Sequence, residues 1–110
     1  MFVNLTPHKL WLFFPDGFEE CVHPSGQVAR LDESRHSIDD VHGMPVIAVV
    51  RGLVTGLPRR KPGVALLVSG MVAAACERDD VFAPDTGDGA VRDGQGRIIG
   101  TRALIAAGGS

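Results

Sequence analysis

Aspartates cluster between positions 79 and 93, and clustered carboxylates can hold Mg²⁺ or Ca²⁺ or act as a general base. A calcium-binding EF-hand loop beginning at Asp85 does not fit this stretch. Gly87 and Gly89 occupy ligand positions, and Gly96 stands where a bidentate glutamate belongs. Aspartate beside glycine or proline also starts turns and caps helices, and the pattern favours that role. We therefore assign no metal site and no cofactor. The clustered residues are Asp79, Asp80, Asp85, Asp88 and Asp93.

The four histidines give no zinc signature. His36 and His42 stand among acidic residues, yet the chain has neither an HExxH motif nor a Cys/His finger spacing. His8 is placed differently, directly after Thr6 and Pro7 at the end of a predicted first strand. There it can contribute to a ligand site, or its ring can satisfy a backbone carbonyl in the bend.

Ser69 and Cys76 are the candidate nucleophiles. Ser69 lies at a strand-to-helix corner, but a nucleophile elbow needs glycines two positions before and after it, where Leu67 and Met71 stand. A serine that caps the helix is the ordinary explanation, and Cys76 in an alanine-rich helix is typical of a core residue. No base is identifiable beside either residue. We assign no catalytic residue and favour a non-enzymatic protein.

The elements that must position these residues are clearest between Val64 and Gly87. Val64–Val68 predicts a buried strand, and Met71–Cys76 predicts a short helix directly after it. A strand that leads into a helix places the strand's carboxyl end beside the first helical amides, where α/β proteins tend to bind ligands. This corner is the expected position of a binding site.

The remainder of the chain predicts mostly strands. Runs separated by turn residues predict an N-terminal β-meander, and Asp93–Gly96 predicts the turn of a C-terminal hairpin. Lys9–Phe14 is apolar on both faces, which is typical of a strand covered on both sides. The polar stretch Asp32–Asp40 and the basic stretch Arg59–Lys61 predict surface loops. The expected fold is a single α+β domain over residues 1–110, with mostly antiparallel strands and one or two short helices.

Composition excludes several classes of function. The 45% hydrophobic and 22% charged content is ordinary for a globular protein. A net charge of −2 gives no general attraction to nucleic acid or to an anionic membrane. Cys21 and Cys76 lie far apart, as expected of reduced thiols in a cytosol. No stretch has the pattern of a signal peptide or the length of a membrane span, so we expect a cytoplasmic location.

A set of short motifs extends over nearly the whole chain. The motifs are N-L-T-P-H (Asn4–His8), P-S-G (Pro24–Gly26), V-A-R (Val28–Arg30), R-D-D (Arg78–Asp80), P-D-T (Pro84–Thr86), V-R-D (Val91–Asp93) and G-R-I-I-G (Gly96–Gly100). This combination resembles small phage and bacterial proteins, actinobacterial ones included, that have no established activity. The resemblance implies a phage or bacterial cytoplasmic setting and brings no catalytic residues with it. The stretches 32–40 and 59–61 depart from the pattern.

The polar motifs leave three functions open. The first is binding of a small anionic ligand such as a nucleotide, if these residues converge in one pocket; equally, they can satisfy one another and only fix turns. The second is a protein-interaction module that acts through the Leu57–Gly63 and Asp32–Asp40 loops or through an exposed sheet edge, and an exposed apolar patch around Trp11 or Phe13 would favour it. The third is a small metal-assisted hydrolase that uses Asp79, Asp80 and His8. The apolar Lys9–Phe14 strand also favours self-association into a homo-oligomer. The candidate ligand-binding residues are Asn4, Thr6, His8, Ser69, Arg78, Asp79, Asp80, Asp85, Thr86 and Arg92.

Overall fold

The computed structural model describes residues 1–108 of the chain. About 49% of the structure is strand and 5% is helix, so the chain folds mostly as short strands with little helix. In chain order the elements are β1 (Phe2–Asn4), β2 (Leu10–Phe13), β3 (Glu19–Val22), β4 (Arg30–Val41), β5 (Met44–Thr55), β6 (Ala65–Leu67), α1 (Gly70–Ala74), β7 (Val81–Pro84), β8 (Ala90–Arg92), β9 (Ile98–Thr101) and β10 (Leu104–Ala106).

The strands form two mixed four-stranded sheets and a separate hairpin. The first sheet has the order β1-β6-β7-β10, with β1, β6 and β7 parallel and β10 antiparallel to β7. The second sheet has the order β3-β2-β9-β8, in which only β2 and β9 are parallel. The C-terminal hairpin β8–β9 is confirmed. The N-terminal meander is wrong, because β1 pairs with β6 and leaves β2–β3 as the only hairpin of that region.

The hydrophobic core lies on both sides of β6. Leu66 belongs to a cluster with Leu5, Val68 and Val81, whereas Leu67 packs with Leu12 and Val22. Successive side chains of a strand point to opposite faces, so this short apolar strand supplies both clusters. Full burial of each leucine contributes about 1.5–3 kcal/mol. The buried strand predicted for residues 64–68 is confirmed.

Helix α1 follows β6 as predicted but is shorter than the predicted Met71–Cys76. Ser69 is its N-cap and accepts a hydrogen bond from the Val72 amide at 3.3 Å. Val72 and Ala73 are the buried residues of the helix. Ser69 therefore has the ordinary role of a capping serine.

The polar stretch 32–40 is a strand and not the predicted surface loop. It forms most of β4, which pairs with β5 from Arg30↔Thr55 to Val41↔Met44. His42 and Gly43 connect the two strands with φ values of 49° and 87°, as a two-residue type I′ turn requires. Most of this hairpin, which we call the arm, is exposed on both faces. A strand that buries neither face needs no apolar stripe, which is why the polarity of β4 misled the prediction.

The arm extends away from the sheets. The radius of gyration is 16.5 Å, against about 13 Å for a compact domain of this length. The longest dimension of the molecule is 54 Å. The apolar run Val46–Val50 lies within β5, in the exposed arm and not in the core.

Candidate functional site

The N-L-T-P-H motif forms a closed hydrogen-bond network at the end of β1. Asn4 is fully buried, and its Nδ2 donates to the carbonyls of His8 at 2.7 Å and Val22 at 2.9 Å. Its Oδ1 accepts from the Thr6 amide at 2.9 Å and from the Thr6 hydroxyl at 2.7 Å. The amide of Asn4 thus has partners on both of its polar atoms. This network joins β1 to the start of β2 and the end of β3.

The R-D-D motif is also paired within the chain. Arg78 donates from Nε and Nη2 to the two carboxylate oxygens of Asp80 at 3.0 and 2.7 Å, and from Nη1 to the Pro58 carbonyl at 3.0 Å. Asp79 forms an ion pair with Arg60 on the surface. The basic stretch at 59–61 is irregular in the structure, as predicted, and it supplies the partner of Asp79.

The bidentate contact sets the charge states of this pair. Hydrogen bonding to Arg78 lowers the pKa of Asp80 below its ordinary value and outweighs the opposing effect of desolvation. The same bond raises the pKa of Arg78. The Asp80 side chain is 10% exposed. Its only ion-pair partner among the described residues is Arg78, two positions earlier in the chain. Arg78 is therefore already neutralised and is poorly placed to bind an anion.

The P-D-T motif forms a turn. The two carboxylate oxygens of Asp85 accept from the amides of Gly87 at 2.8 Å and Gly89 at 2.9 Å. The buried Thr101 hydroxyl donates to the Asp85 carbonyl at 2.9 Å, which ties this turn to β9. Arg92 donates to the Gly96 carbonyl at 2.8 Å across the β8–β9 hairpin. These polar side chains hold turns together.

The structure brings three of the ten candidate ligand-binding residues to one recess. His8, Asp85 and Thr86 line a cavity of about 320 Å³, together with Trp11 of β2 and Lys9, which directly precedes that strand. Asp79 and Asp80 line a separate open groove beside Arg60. The other candidates line neither cavity. Ser69 caps α1, Asn4 and Thr6 are buried, Arg78 is bound to Asp80, and Arg92 lies in the hairpin.

An apolar surface lies beside this recess on the second sheet, around a bulge of β9 where Gly100 and Ile98 pair with the consecutive residues Val91 and Arg92 of β8. Trp11, Ile98 and Ile99 are 38%, 45% and 46% exposed, and Phe13 lies next to them. We call these four residues the Trp11 face. The prediction that Lys9–Phe14 is covered on both sides is wrong, because Leu12 packs in the core while Trp11 stays exposed.

The absence of a side chain at Gly100 lets Trp11 and Phe13 pack closely against β9. A Cβ atom on Gly100 would lie 2.7 Å from the Trp11 carbonyl oxygen and would also meet the Phe13 ring. The aromatic ring covers the backbone of β9 at the one position where β9 has no side chain. The G-R-I-I-G motif therefore supplies Ile98 and Ile99 of this face. It also supplies Gly100, against which Trp11 and Phe13 of β2 pack.

Comparison of the chain with protein-family models, curated proteins and solved structures finds no match. The likeness to phage and bacterial proteins stays a prediction. Within residues 1–108, no three His, Cys, Asp or Glu side chains are grouped as a metal site requires. In the same part of the chain, no helix is long and apolar enough to cross a membrane.

Proposed function

We propose that this protein is a non-enzymatic interaction module that binds a partner protein through the Trp11 face. The observation that carries the proposal is the exposed cluster of Trp11, Ile98 and Ile99 on a sheet face that nothing in the described chain covers. Large apolar side chains gathered in one place on a surface mark binding sites, whereas isolated ones do not. Tryptophan is also among the residues that contribute most to binding energy at interfaces.

The surroundings of the Trp11 face suit a protein partner. Lys9 and Glu19 lie at its margins, so an apolar centre has charged residues of both signs beside it. Interfaces commonly combine an apolar centre with a polar rim. The expected partner presents aliphatic or aromatic side chains to the face and charged groups at its edge.

The test compares two lysine substitutions on exposed isoleucines. Immobilised wild-type protein is used to capture partners from the cytosol of a host bacterium, beside Ile99→Lys in the Trp11 face and Ile105→Lys on β10. We expect Ile99→Lys to reduce the captured partner at least tenfold, because a buried unpaired charge opposes binding, and Ile105→Lys to retain it. Equal capture by both variants, or no protein captured specifically by the wild type, contradicts the proposal.

A second candidate function is binding of a small anionic ligand in the recess beside the face. Lys9 and His8 supply hydrogen-bond donors there, and Trp11 offers an aromatic surface on which a nucleotide base can stack. Thermal unfolding against a panel of nucleotides and cyclic dinucleotides tests this function. We expect a saturable rise in the melting temperature that Lys9→Ala abolishes and Lys61→Ala preserves. No shift with any compound contradicts it.

The metal-assisted hydrolase has no such support. Asp79 and Asp80 are each bound to an arginine, and His8 lies in a different cavity.

A further inference from the structure

The two strands of the arm differ sharply in polarity. β5 reads MPVIAVVRGLVT and contains one charged residue, whereas its partner β4 reads RLDESRHSIDDV and is mostly polar. Successive residues alternate between faces, so Ile47 and Val49 lie on one face of the arm and Val50 on the other. Apolar side chains therefore line both faces of β5. Val50 is 55% exposed and Leu53 is 78% exposed.

This pattern is typical of a strand in the middle of a sheet. A strand buried on both faces reads as a near-continuous apolar run, and an edge strand is protected by charged side chains. β4 has the composition of such an edge. Within residues 1–108, however, β5 pairs only with β4, so its second edge keeps a row of unpaired amides and carbonyls. A two-stranded hairpin is at best marginally stable in water by itself.

We propose that β5 of one chain pairs in antiparallel fashion with β5 of a second copy, giving a four-stranded sheet with the order β4-β5-β5-β4. The apolar strands then lie at the centre and the charged strands at both edges. The contact is symmetric, because each copy presents the same edge to the other, as in most homodimers. This contact uses a surface separate from the Trp11 face, and it goes beyond the proposed function without depending on it.

Charge does not oppose a second copy at this edge. Arg51, the only charged residue of β5, lies opposite Glu33 of its own chain. If the two-fold axis passes near Ala48, the two Arg51 residues are about 20 Å apart, since a strand rises about 3.4 Å per residue. That separation exceeds the Debye length of about 8–10 Å at physiological ionic strength. Two copies of β5 therefore meet without repulsion between like charges.

Edge pairing also places apolar side chains of the two β5 strands beside one another. With the axis near Ala48, Ile47 of one copy lies opposite Val49 of the other, and Val46 lies opposite Val50. Ile47, Val49 and Val50 are 47%, 38% and 55% exposed in the single chain. Apolar cross-strand pairs of this kind stabilise a sheet in addition to its backbone hydrogen bonds.

Analytical ultracentrifugation over a range of concentrations tests the pairing with two matched variants. Val50→Lys places a charge on β5, and Ser34→Lys places the same charge directly opposite, on β4. We expect the wild type to sediment at twice the chain mass of 11.6 kDa. Val50→Lys should raise the dissociation constant of the dimer at least about tenfold, because it replaces an apolar cross-strand contact at the β5–β5 seam with a charged side chain of the kind that protects natural edge strands from pairing, while Ser34→Lys should change it less than about threefold.

Amide hydrogen exchange tests the contact without a mutation. In the dimer the outward-facing amides of β5 are hydrogen-bonded and protected, and on dilution they should exchange as fast as the outward amides of β4. This result also shows that a variant has kept the arm folded, because the amides shared by β4 and β5 stay protected.

Three results overturn the pairing. One is a wild type that stays at the mass of a single chain up to about 100 µM, a concentration at which weak specific dimers form. The second is equal weakening by Val50→Lys and Ser34→Lys, and the third is a dimer in which the outward β5 amides remain unprotected. A monomer that still loses partner capture through Ile99→Lys refutes the pairing alone and leaves the proposed function standing.

Discussion

Replacement of Asn4 by alanine should strongly destabilise the protein. The substitution removes all four hydrogen bonds of a fully buried side chain. The Thr6 hydroxyl lies 3.0 Å from the His8 carbonyl, so once Asn4 is removed it can donate to that carbonyl instead. The Val22 carbonyl and the Thr6 amide lose the side-chain partner they have now, and both are buried.

The magnitude follows from these two buried groups. Leaving a buried donor or acceptor without a partner costs about 1–3 kcal/mol each, so Asn4→Ala should lower the free energy of unfolding by about 4 kcal/mol. For a domain of this size that corresponds to a fall of roughly 15–30 °C in the melting temperature. Thr6→Val is the matched comparison. It removes one hydroxyl but leaves the Asn4 side chain bonded to the Thr6 amide, so it should cost only about 1 kcal/mol.

Urea unfolding followed by circular dichroism measures both variants. The protein concentration is kept low, so that dissociation of a dimer does not add to the measured free energy. An Asn4→Ala variant within about 1 kcal/mol of the wild type would refute the reasoning. Such a result would mean that water or a backbone shift provides hydrogen-bond partners for the Val22 carbonyl and the Thr6 amide. Asn4 would then again be a candidate ligand-binding residue.

Two further predictions concern the Asp80 ion pair and the β9 glycine. Because the pKa of Asp80 is lower in the folded chain than in the unfolded one, the stabilisation by Arg78 is present above about pH 4 and is lost as the pH falls below it. Asp80→Asn should therefore show a smaller loss of stability between pH 6 and pH 3 than the wild type in urea titrations, and an equal loss contradicts the assignment. Gly100→Ala should lower the free energy of unfolding by about 2 kcal/mol, because the new methyl group meets the Trp11 carbonyl. Gly94→Ala, where nothing lies within 4 Å, is its control and should stay within about 0.5 kcal/mol; similar losses in both would contradict the packing argument.

The sequence was most informative where the hydrophobic core determines the structure. The run Val64–Val68 predicts a buried strand because all of its side chains are apolar, and Leu66, Leu67 and Val68 are indeed buried. The capping role of Ser69 follows from local chemistry and needs no knowledge of the remaining chain. Strand pairing is different, because the parallel contact of β1 with β6 joins residues about 60 positions apart. The residues of β1 and of β6, each taken alone, do not indicate that these two strands pair.

The arm was missed because periodicity detects only strands that bury one face. In β4 both faces are exposed, so the polar stretch 32–40 carries no apolar stripe, and Ile38 is its single apolar residue. The signal that was available is the His42–Gly43 pair, with glycine at a position that needs a positive φ, next to an apolar run of the length of a strand. An apolar run opposite a polar run across such a turn indicates an exposed hairpin.

Polar side chains at strand ends often face a ligand, which is why the sequence indicates them as candidate ligand-binding residues. The same composition results when they face each other, and sequence alone does not separate the two cases. Asn4 with Thr6, and Arg78 with Asp80, are bonded to each other or to the backbone. Because of this pairing, these side chains are not free to donate to or accept from a ligand. Two groups of large apolar side chains stay exposed in the described chain, the Trp11 face and strand β5. Burying those two surfaces gains free energy only against another molecule, which is why the proposed function is association and not catalysis.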